Sequence, residues 1–304
     1  METLVLPFDD TSIAQAARLI LAGQPVAVPT ETVYGLAADA TNAEAVARIY
    51  EAKGRPSFNP LIVHVPNLSS AQAIGELDEE ALTLARQHWP GPLTLVVPLR
   101  GDAPIASLVT AGLPSVGLRV PDHPAMQALL RDCGRPLAAP SANASGSISP
   151  TRAQHVLRSL GGRIPLIIDG GPTKRGIEST IVAATGGAPR LLRRGPVEVD
   201  AGLGSGATIE APGQLASHYA PSKPLRLGAT SAADNEYLIG FGSVTGDESL
   251  SPEGDLIEAA SRLFDLLHLA DASDKQRIAV AAVPDHGLGA AINDRLSRAA
   301  ADGP

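Results

Sequence analysis

Three short segments carry side chains whose types and spacing could do chemistry on an anionic substrate. The first, Pro29-Thr30-Glu31-Thr32-Val33-Tyr34-Gly35-Leu36, directly follows an apolar strand. Two threonines and a glutamate at a strand's C-terminal end sit where open α/β sheets commonly bind ligands. The plainer alternative is a polar loop in which Thr30 or Thr32 caps backbone, and this segment alone favours it. The second, Lys53-Gly54-Arg55-Pro56-Ser57-Phe58-Asn59-Pro60-Leu61, runs into Ile62-Val63-His64-Val65. Lys53 has a cheap structural explanation, because a cation at a helix C-terminus complements the macrodipole. Arg55 and Asn59 do not share it: they occupy a Pro-constrained turn, a rigid perch for recognising phosphate or carboxylate. His64, in an apolar strand, is more often a satisfied core histidine than a functional one. The third, Pro140-Ser141-Ala142-Asn143-Ala144-Ser145-Gly146, could offer a hydroxyl and an amide to one ligand, or simply turn the chain. Ser141 lacks a nucleophile-elbow context and is not read as a covalent nucleophile. No Walker loop, G-x-G-x-x-G, H-E-x-x-H or G-x-S-x-G occurs. Gly170–Gly176 (GGPTKRG) lacks the Walker spacing and reads as a glycine turn after a strand.

These segments need a scaffold of alternating strands and helices. Pro25–Pro29, Leu61–Val65, Leu93–Val97, Ser115–Val120, Leu137–Ala139, Pro165–Asp169 and Ser179–Ala184 are short, aliphatic and bounded by Pro or Gly, as strands are. Helical patterns fill Thr11–Ala22, Asn42–Ala52, Asp78–His88, Pro124–Arg131 and Thr151–Leu160. In the second of these Val46, Ile49 and Tyr50 share a face, Asn42 suits an N-cap, Gly54 suits the C-terminal cap, and Pro56 blocks continuation. Several links are too short for a crossover helix, so the α/β sheet is expected to be mixed. The sequence divides into residues 1–200, a Gly/Ala/Ser/Pro-rich linker at 201–224, and a small α/β tail at 225–304. The tail offers strands at Lys223–Leu227, Tyr237–Gly242 and Ile278–Val283 and helices at Asp255–Leu269 and Leu288–Ala301.

Composition narrows the class of function. The chain has 304 residues, 44% of them apolar, which is ample for a packed core and the opposite of a disorder signature. Only 3% are aromatic and the formal charge is −8. A nucleic-acid binder is expected to show a basic stripe with aromatic platforms, and neither is present. Cys133 is the single cysteine, which excludes an intrachain disulfide and a cysteine-cluster metal site. No signal-peptide order opens the chain, and no apolar run approaches the roughly 18 residues of a membrane span. The expectation is a soluble protein of a reducing cytoplasm.

Each chemical segment is weak alone, but their ordered combination is specific. Pro-Thr-Glu-Thr-Val-Tyr-Gly-Leu, then Lys-x-Arg with a downstream Asn-Pro-Leu, then Ser-x-Asn resembles the threonylcarbamoyl-adenylate synthases, the YrdC-type family, over Thr11 to Pro196. Val116–Pro124, Glu178–Val182 and Leu192–Gly195 support the match, with Arg194 standing where an Arg-Pro-Gly turn would have Pro. His218-Tyr219-Ala220-Pro221 in the linker and Gly287–Leu296 near the end resemble the family's long, two-domain form.

The resemblance implies a YrdC-like twisted mixed sheet around a large concave cavity, plus a small C-terminal Rossmann-like α/β domain. It implies a nucleotidyltransferase that makes threonylcarbamoyl-AMP from L-threonine, bicarbonate and ATP, releasing pyrophosphate, with Mg²⁺ carried by the ATP phosphates. By the same resemblance Lys53, Arg55, Ser141 and Asn143 form a polar catalytic tetrad. Arg55, Asn59, Ser115, Ser141, Ser149, Arg193 and Tyr219 match ATP-contacting positions; Thr32, His64, Arg119, Ala139 and Ser179 match threonine-holding ones. No metal ligand set of the protein's own is expected. The product would pass to a separate tRNA threonylcarbamoyl transferase complex, so the acidic chain need not hold nucleic acid stably, and no membrane is involved. Two competing readings are an RNA-binding or translation-associated module on the same fold, and a hydrogenase-maturation carbamoyltransferase; the latter's zinc finger is incompatible with one cysteine.

Overall fold

The computed structural model describes residues 2–204, 210–213 and 218–301; linker residues 205–209 and 214–217 lie outside these. In chain order the elements are β1 (Leu4–Pro7), α1 (Asp10–Leu21), β2 (Val26–Pro29), β3 (Tyr34–Asp39), α2 (Ala43–Lys53), β4 (Ile62–His64), α3 (Leu68–Gln72), α4 (Glu79–His88), β5 (Leu93–Pro98), α5 (Ser107–Thr110), β6 (Ser115–Arg119), α6 (Pro124–Cys133), β7 (Leu137–Ala138), α7 (Ala153–Leu160), β8 (Leu166–Asp169), β9 (Thr180–Ala183), β10 (Arg190–Arg193) and β11 (Gly202–Leu203). The remainder contributes β12 (Leu225–Ala229), β13 (Glu236–Gly240), β14 (Glu248–Ser249), α8 (Leu256–Ala272), β15 (Arg277–Ala281) and α9 (Leu288–Ala300).

The first eleven strands form one sheet in the order β1-β8-β2-β3-β7-β4-β6-β5-β9-β10-β11. Its pairings are mixed: β4/β6 and β5/β9 run parallel, whereas β2/β3, β3/β7, β4/β7 and β5/β6 run antiparallel. That mixture follows from the links, because β2 and β3 are joined by four residues, enough for a hairpin but not for a crossover. The tail builds a separate sheet, β12-β15-β13-β14, in which every pairing is parallel, with α8 and α9 as its helices.

Local chemistry sets the ends of the helix that carries Lys53. Asn42 Oδ1 accepts from the amides of Glu44 and Ala45. Gly54 closes the other end in the left-handed region (φ 59°, ψ 39°), where a Cβ would be strained. Ala45, Val46, Ile49 and Tyr50 face the core. Gly202–Leu203, within the stretch read as linker, adds an edge strand to the large sheet.

The two sheets share packing. Val33, Ile148, Ile177 and Tyr219 join the apolar cluster of α8, α9 and the small sheet. Gly176 lies against α8 so closely that a Cβ there would stand 2.4 Å from the carbonyl oxygens of Ala260 and Ser261. Arg152 makes a paired hydrogen bond to Asp265 (2.6 and 2.9 Å), and His155 stacks on His268 at 3.8 Å between ring centroids.

Candidate active site

The site is assembled at the middle of the large sheet. β4 pairs parallel with β6, which sets His64 opposite Arg119. The link between β2 and β3 folds on itself: the Thr30 hydroxyl donates to Val33 O at 2.7 Å and lies 2.8 Å from the Thr32 hydroxyl. Arg119 Nη2 then reaches both Thr32 Oγ1 (3.0 Å) and Glu31 Oε1 (2.6 Å), with all three residues buried. Burial, reinforced by Arg119, pulls the His64 imidazole down to about 3, so it is neutral at physiological pH. Its Nδ1 is buried without a partner.

Two further arginines face the same space. Arg55 is aimed by its own turn: Nε donates to Asn59 O (3.1 Å) and Nη2 to Pro60 O (2.8 Å). Burial lowers its guanidinium to about 10, which leaves it charged. Arg193, at the end of β10, donates through Nε to Ser179 O (3.0 Å) and through Nη2 to Ser179 Oγ (3.1 Å). The Ser179 hydroxyl is also 2.7 Å from that of Thr94 on the neighbouring strand. Arg193 can approach so closely because of Gly195, where a Cβ would stand 2.4 Å from Thr180 N and 2.7 Å from the Ser179 carbonyl carbon.

The linker covers this space. Pro212, Gly213, His218 and Tyr219 form one wall of a cavity of about 50 Å³. The resemblance implies a large concave cavity; with these four residues in its wall, the space enclosed here is much smaller. Tyr219 is 1% exposed, adopts a positive φ of 63°, and packs its ring on Phe264 of α8 at 5.5 Å. Gly213 (φ 87°) passes where a Cβ would meet Arg193 Cδ at 2.9 Å and the Tyr219 hydroxyl at 3.0 Å. Burial takes His218 down to about 3. The Tyr219 hydroxyl and His218 Nδ1 are buried without partners, as polar atoms aimed at a ligand would be.

Of the expected threonine-side residues, Thr32, His64, Arg119, Ala139 and Ser179 all line this cavity. On the nucleotide side Arg55, Ser141, Arg193 and Tyr219 line it too. The others stand behind that wall. Lys53, driven well below its usual range by burial and then by Arg55, donates through Nζ to the carbonyls of Ser141 (2.6 Å) and Asn143. It thereby ties α2 to the Ser-x-Asn turn. Asn143 donates to Ala144 O (3.0 Å) and Ser147 O (2.8 Å), while its Oδ1 and that of Asn59 are buried without partners. Ser115 lines an adjoining crevice shared with Pro212. Ser149 donates to Glu178 Oε1. Glu178 itself lines the cavity; the sequence places it and Gly195 only within segments supporting the family match, without a role, and gives Gly213 none beyond the linker. A larger cleft of about 440 Å³ lies between α7, α8 and Ala220–Ser222, but it includes none of the buried, unpartnered polar atoms.

The family described as "Telomere recombination", covering Sua5, YciO and YrdC, matches residues 18–195. The family described as "Threonylcarbamoyl-AMP synthase, C-terminal domain" matches residues 173–301. The threonylcarbamoyl-AMP synthase of Bacillus subtilis is 42% identical, over 97% of this chain and 94% of that one. That of Pyrococcus abyssi is 39% identical, over 96% and 94%. The crystal structure of P. abyssi Sua5 complexed with L-threonine superposes with a TM-score of 0.90 at 36% identity, covering 98% of each chain.

Proposed function

The chain belongs to the threonylcarbamoyl-AMP synthase family, and from that membership we propose that it joins L-threonine, bicarbonate and ATP into threonylcarbamoyl-AMP. The product is the activated intermediate for threonylcarbamoyladenosine in tRNAs that read codons beginning with A. The observation that carries this reading is the convergence of Arg55, Arg119 and Arg193 with hydroxyls and a neutral imidazole around one buried cavity.

The chemistry explains why such a cavity is needed. Bicarbonate takes up a proton and loses water to give CO₂; threonine's amine adds to it and loses a proton, giving a carbamate. A carbamate oxygen attacks the α-phosphorus, the bond to the bridging oxygen breaks, and pyrophosphate leaves with the electron pair. Nucleophile and electrophile are both anionic, so their approach requires concentrated positive charge in a site shielded from water. In-line displacement at phosphorus asks for positioning and electrostatics more than for covalent help.

We assign Thr32, His64, Arg119, Ala139 and Ser179 to threonine. His64 supports that assignment, because a neutral imidazole with an unpartnered nitrogen can meet a hydroxyl or carboxylate without adding charge. We assign Arg55, Asn59, Ser115, Ser141, Ser149, Arg193 and Tyr219 to ATP. Of the tetrad, Arg55 and Ser141 face the cavity, while Lys53 holds the Ser141 and Asn143 carbonyls in place. Among the described residues no three His, Cys, Asp or Glu side chains group as a metal site would require. Magnesium enters this scheme as the ATP complex, on the phosphates. A cavity of about 50 Å³ is far too small for a nucleotide, so the linker carrying Tyr219 must lift for ATP and close to protect the labile anhydride. In this scheme residues 1–200 are the catalytic unit, 201–224 the lid-bearing linker and 225–304 the tail. Among the described residues no helix is long and apolar enough to cross a membrane. We place the activity in the cytoplasm, with the product handed to a separate transferase complex.

The test is pyrophosphate release from ATP and bicarbonate, with and without L-threonine and with serine as comparator. Threonine-dependent release, reduced about 10²–10³-fold in Arg55→Ala, is expected by analogy with removing one preorganised electrostatic donor. Folded protein that binds ATP but releases no pyrophosphate on adding threonine would overturn the assignment in favour of a binding module.

A further inference from the structure

Glu178 is an anomaly in a cavity built to attract two anions. Its carboxylate is buried on the wall shared with Arg55 and Arg193, where an uncompensated negative charge would repel a triphosphate. The compensating cation comes from the other sheet's helix. Arg295, on α9, has no solvent exposure at all and donates through Nε to Glu178 Oε2 at 3.0 Å. Glu178 accepts the Ser149 hydroxyl on its other oxygen. The Arg295 guanidinium also lies 5.5 Å from the centre of the Tyr219 ring, a cation–π distance, and Nη1 donates to Asp294 at 2.9 Å. One buried side chain from the tail therefore touches or backs a cavity carboxylate, a nucleotide-side hydroxyl and the lid tyrosine.

We infer that Arg295 is a positioning residue for the nucleotide, neutralising Glu178 and through it fixing the Ser149 hydroxyl and the Tyr219 ring. The tail is then more than a support for the lid, since it supplies a charge without which the cavity's positive field is diminished. Burial alone would drive Arg295 toward its neutral form, but Tyr219, Glu178 and Asp294 hold its guanidinium protonated. Burial likewise works against the Glu178 carboxylate, and Arg295 and Arg193 outweigh it. The pair is thus an ionised one, and removing one partner leaves the other charged and buried, the costly outcome.

This inference rests on the ATP-using reading above, so the experiment separates the two. Michaelis constants for ATP and threonine, and ATP affinity by calorimetry, are measured for wild type, Arg295→Met, Arg295→Lys and the double variant Arg295→Met/Glu178→Gln. Thermal unfolding is recorded for each. The expected result for Arg295→Met is a rise of about 10–100-fold in the ATP constant, with the threonine constant moved by less than about threefold. Arg295→Lys keeps the charge and recovers part of the loss. The double variant removes the stranded carboxylate and recovers about tenfold. A merely structural pair would instead lower the unfolding temperature and kcat together without favouring one substrate. Unchanged ATP affinity in Arg295→Met overturns the inference, as does a double variant that binds ATP no better than the single one. Should Arg295→Met not fold, the double variant and Arg295→Lys decide it: ATP affinity near wild type in both supports the charge argument, and equal large losses in both refute it. Wild-type protein that binds ATP yet shows no threonine-dependent turnover would fail the functional reading, and calorimetry would still decide the role of Arg295.

Discussion

Gly195→Ala tests whether the reach of Arg193 depends on one missing methyl group. The added Cβ would stand 2.4 Å from Thr180 N, 2.7 Å from the Ser179 carbonyl carbon and 2.8 Å from Glu178 O. All are backbone atoms, so no flexible side chain can yield. Restoring an ordinary contact of 3.4 Å requires the turn and the strand to part by about 1 Å. Overpacking of this kind costs about 1–3 kcal/mol, or a fall of roughly 2–12 °C in unfolding temperature for a unit of this size. The displaced segment carries Ser179, to which Arg193 donates twice, and Glu178. A misplacement of about 1 Å at such a centre lowers turnover about 10²-fold. Gly202→Ala is the control, because a Cβ there meets nothing within 4 Å; its effect should stay within about 0.5 kcal/mol. Both are measured by calorimetric melting and pyrophosphate release. A Gly195→Ala protein melting within about 1 °C of wild type and turning over within about twofold would refute the close-approach argument.

Tyr219→Ala opens the wall of the cavity and is expected to raise the ATP consumed per threonylcarbamoyl-AMP recovered, read by chromatography of both nucleotides; an unchanged ratio refutes the shielding role. Acid should destabilise the fold early. His64, His155 and His218 are each lowered from 6.5 to about 3 by burial, and His268 to about 4. Below pH 6.5 the unfolded chain therefore binds protons that the native imidazoles refuse, and stability present above pH 6.5 is lost as pH falls toward 3. Each imidazole contributes up to about 1.4 kcal/mol per pH unit across that window. Urea midpoints at pH 7, 6 and 5 should fall steadily, and a flat series would refute it.

What the sequence discloses here is local, and what it conceals is distant. Asn42 marks the start of α2, and Gly54 and Pro56 its end, because cap and turn chemistry act within a few residues. The mixed sheet follows from link lengths alone. Pro29–Leu36, in contrast, reads as a polar loop after a strand, yet from Tyr34 on the chain forms a fully buried strand, Tyr34–Asp39, paired on both sides. Arg295 lies in Gly287–Leu296, a stretch the sequence marks only through its family resemblance; its complete burial against Glu178, more than a hundred residues earlier, and the Tyr219 ring comes from contacts between distant segments. Gly170–Gly176 reads as a glycine turn, and its further meaning, that Gly176 admits the α8 backbone, exists only once the tail has docked. His64 reads as core by pattern, and its placement opposite Arg119 on the cavity wall comes from sheet register.

The strand order also sets a schedule for the nascent chain. β1 occupies the sheet's edge and pairs only with β8, so Leu4 waits for Leu166, about 160 residues downstream. At synthesis rates of about 5–20 residues per second the first strand spends roughly 8–32 s without its partner. The sheet's middle has the same character, since β3 must wait for β7, and β5 for β9, before either is complete. Such long-range pairings make for slow folding and leave apolar strand edges open in the meantime. The helix that ends the described chain arrives last of all, so a ribosome-bound chain can close most of the large sheet well before it can neutralise Glu178.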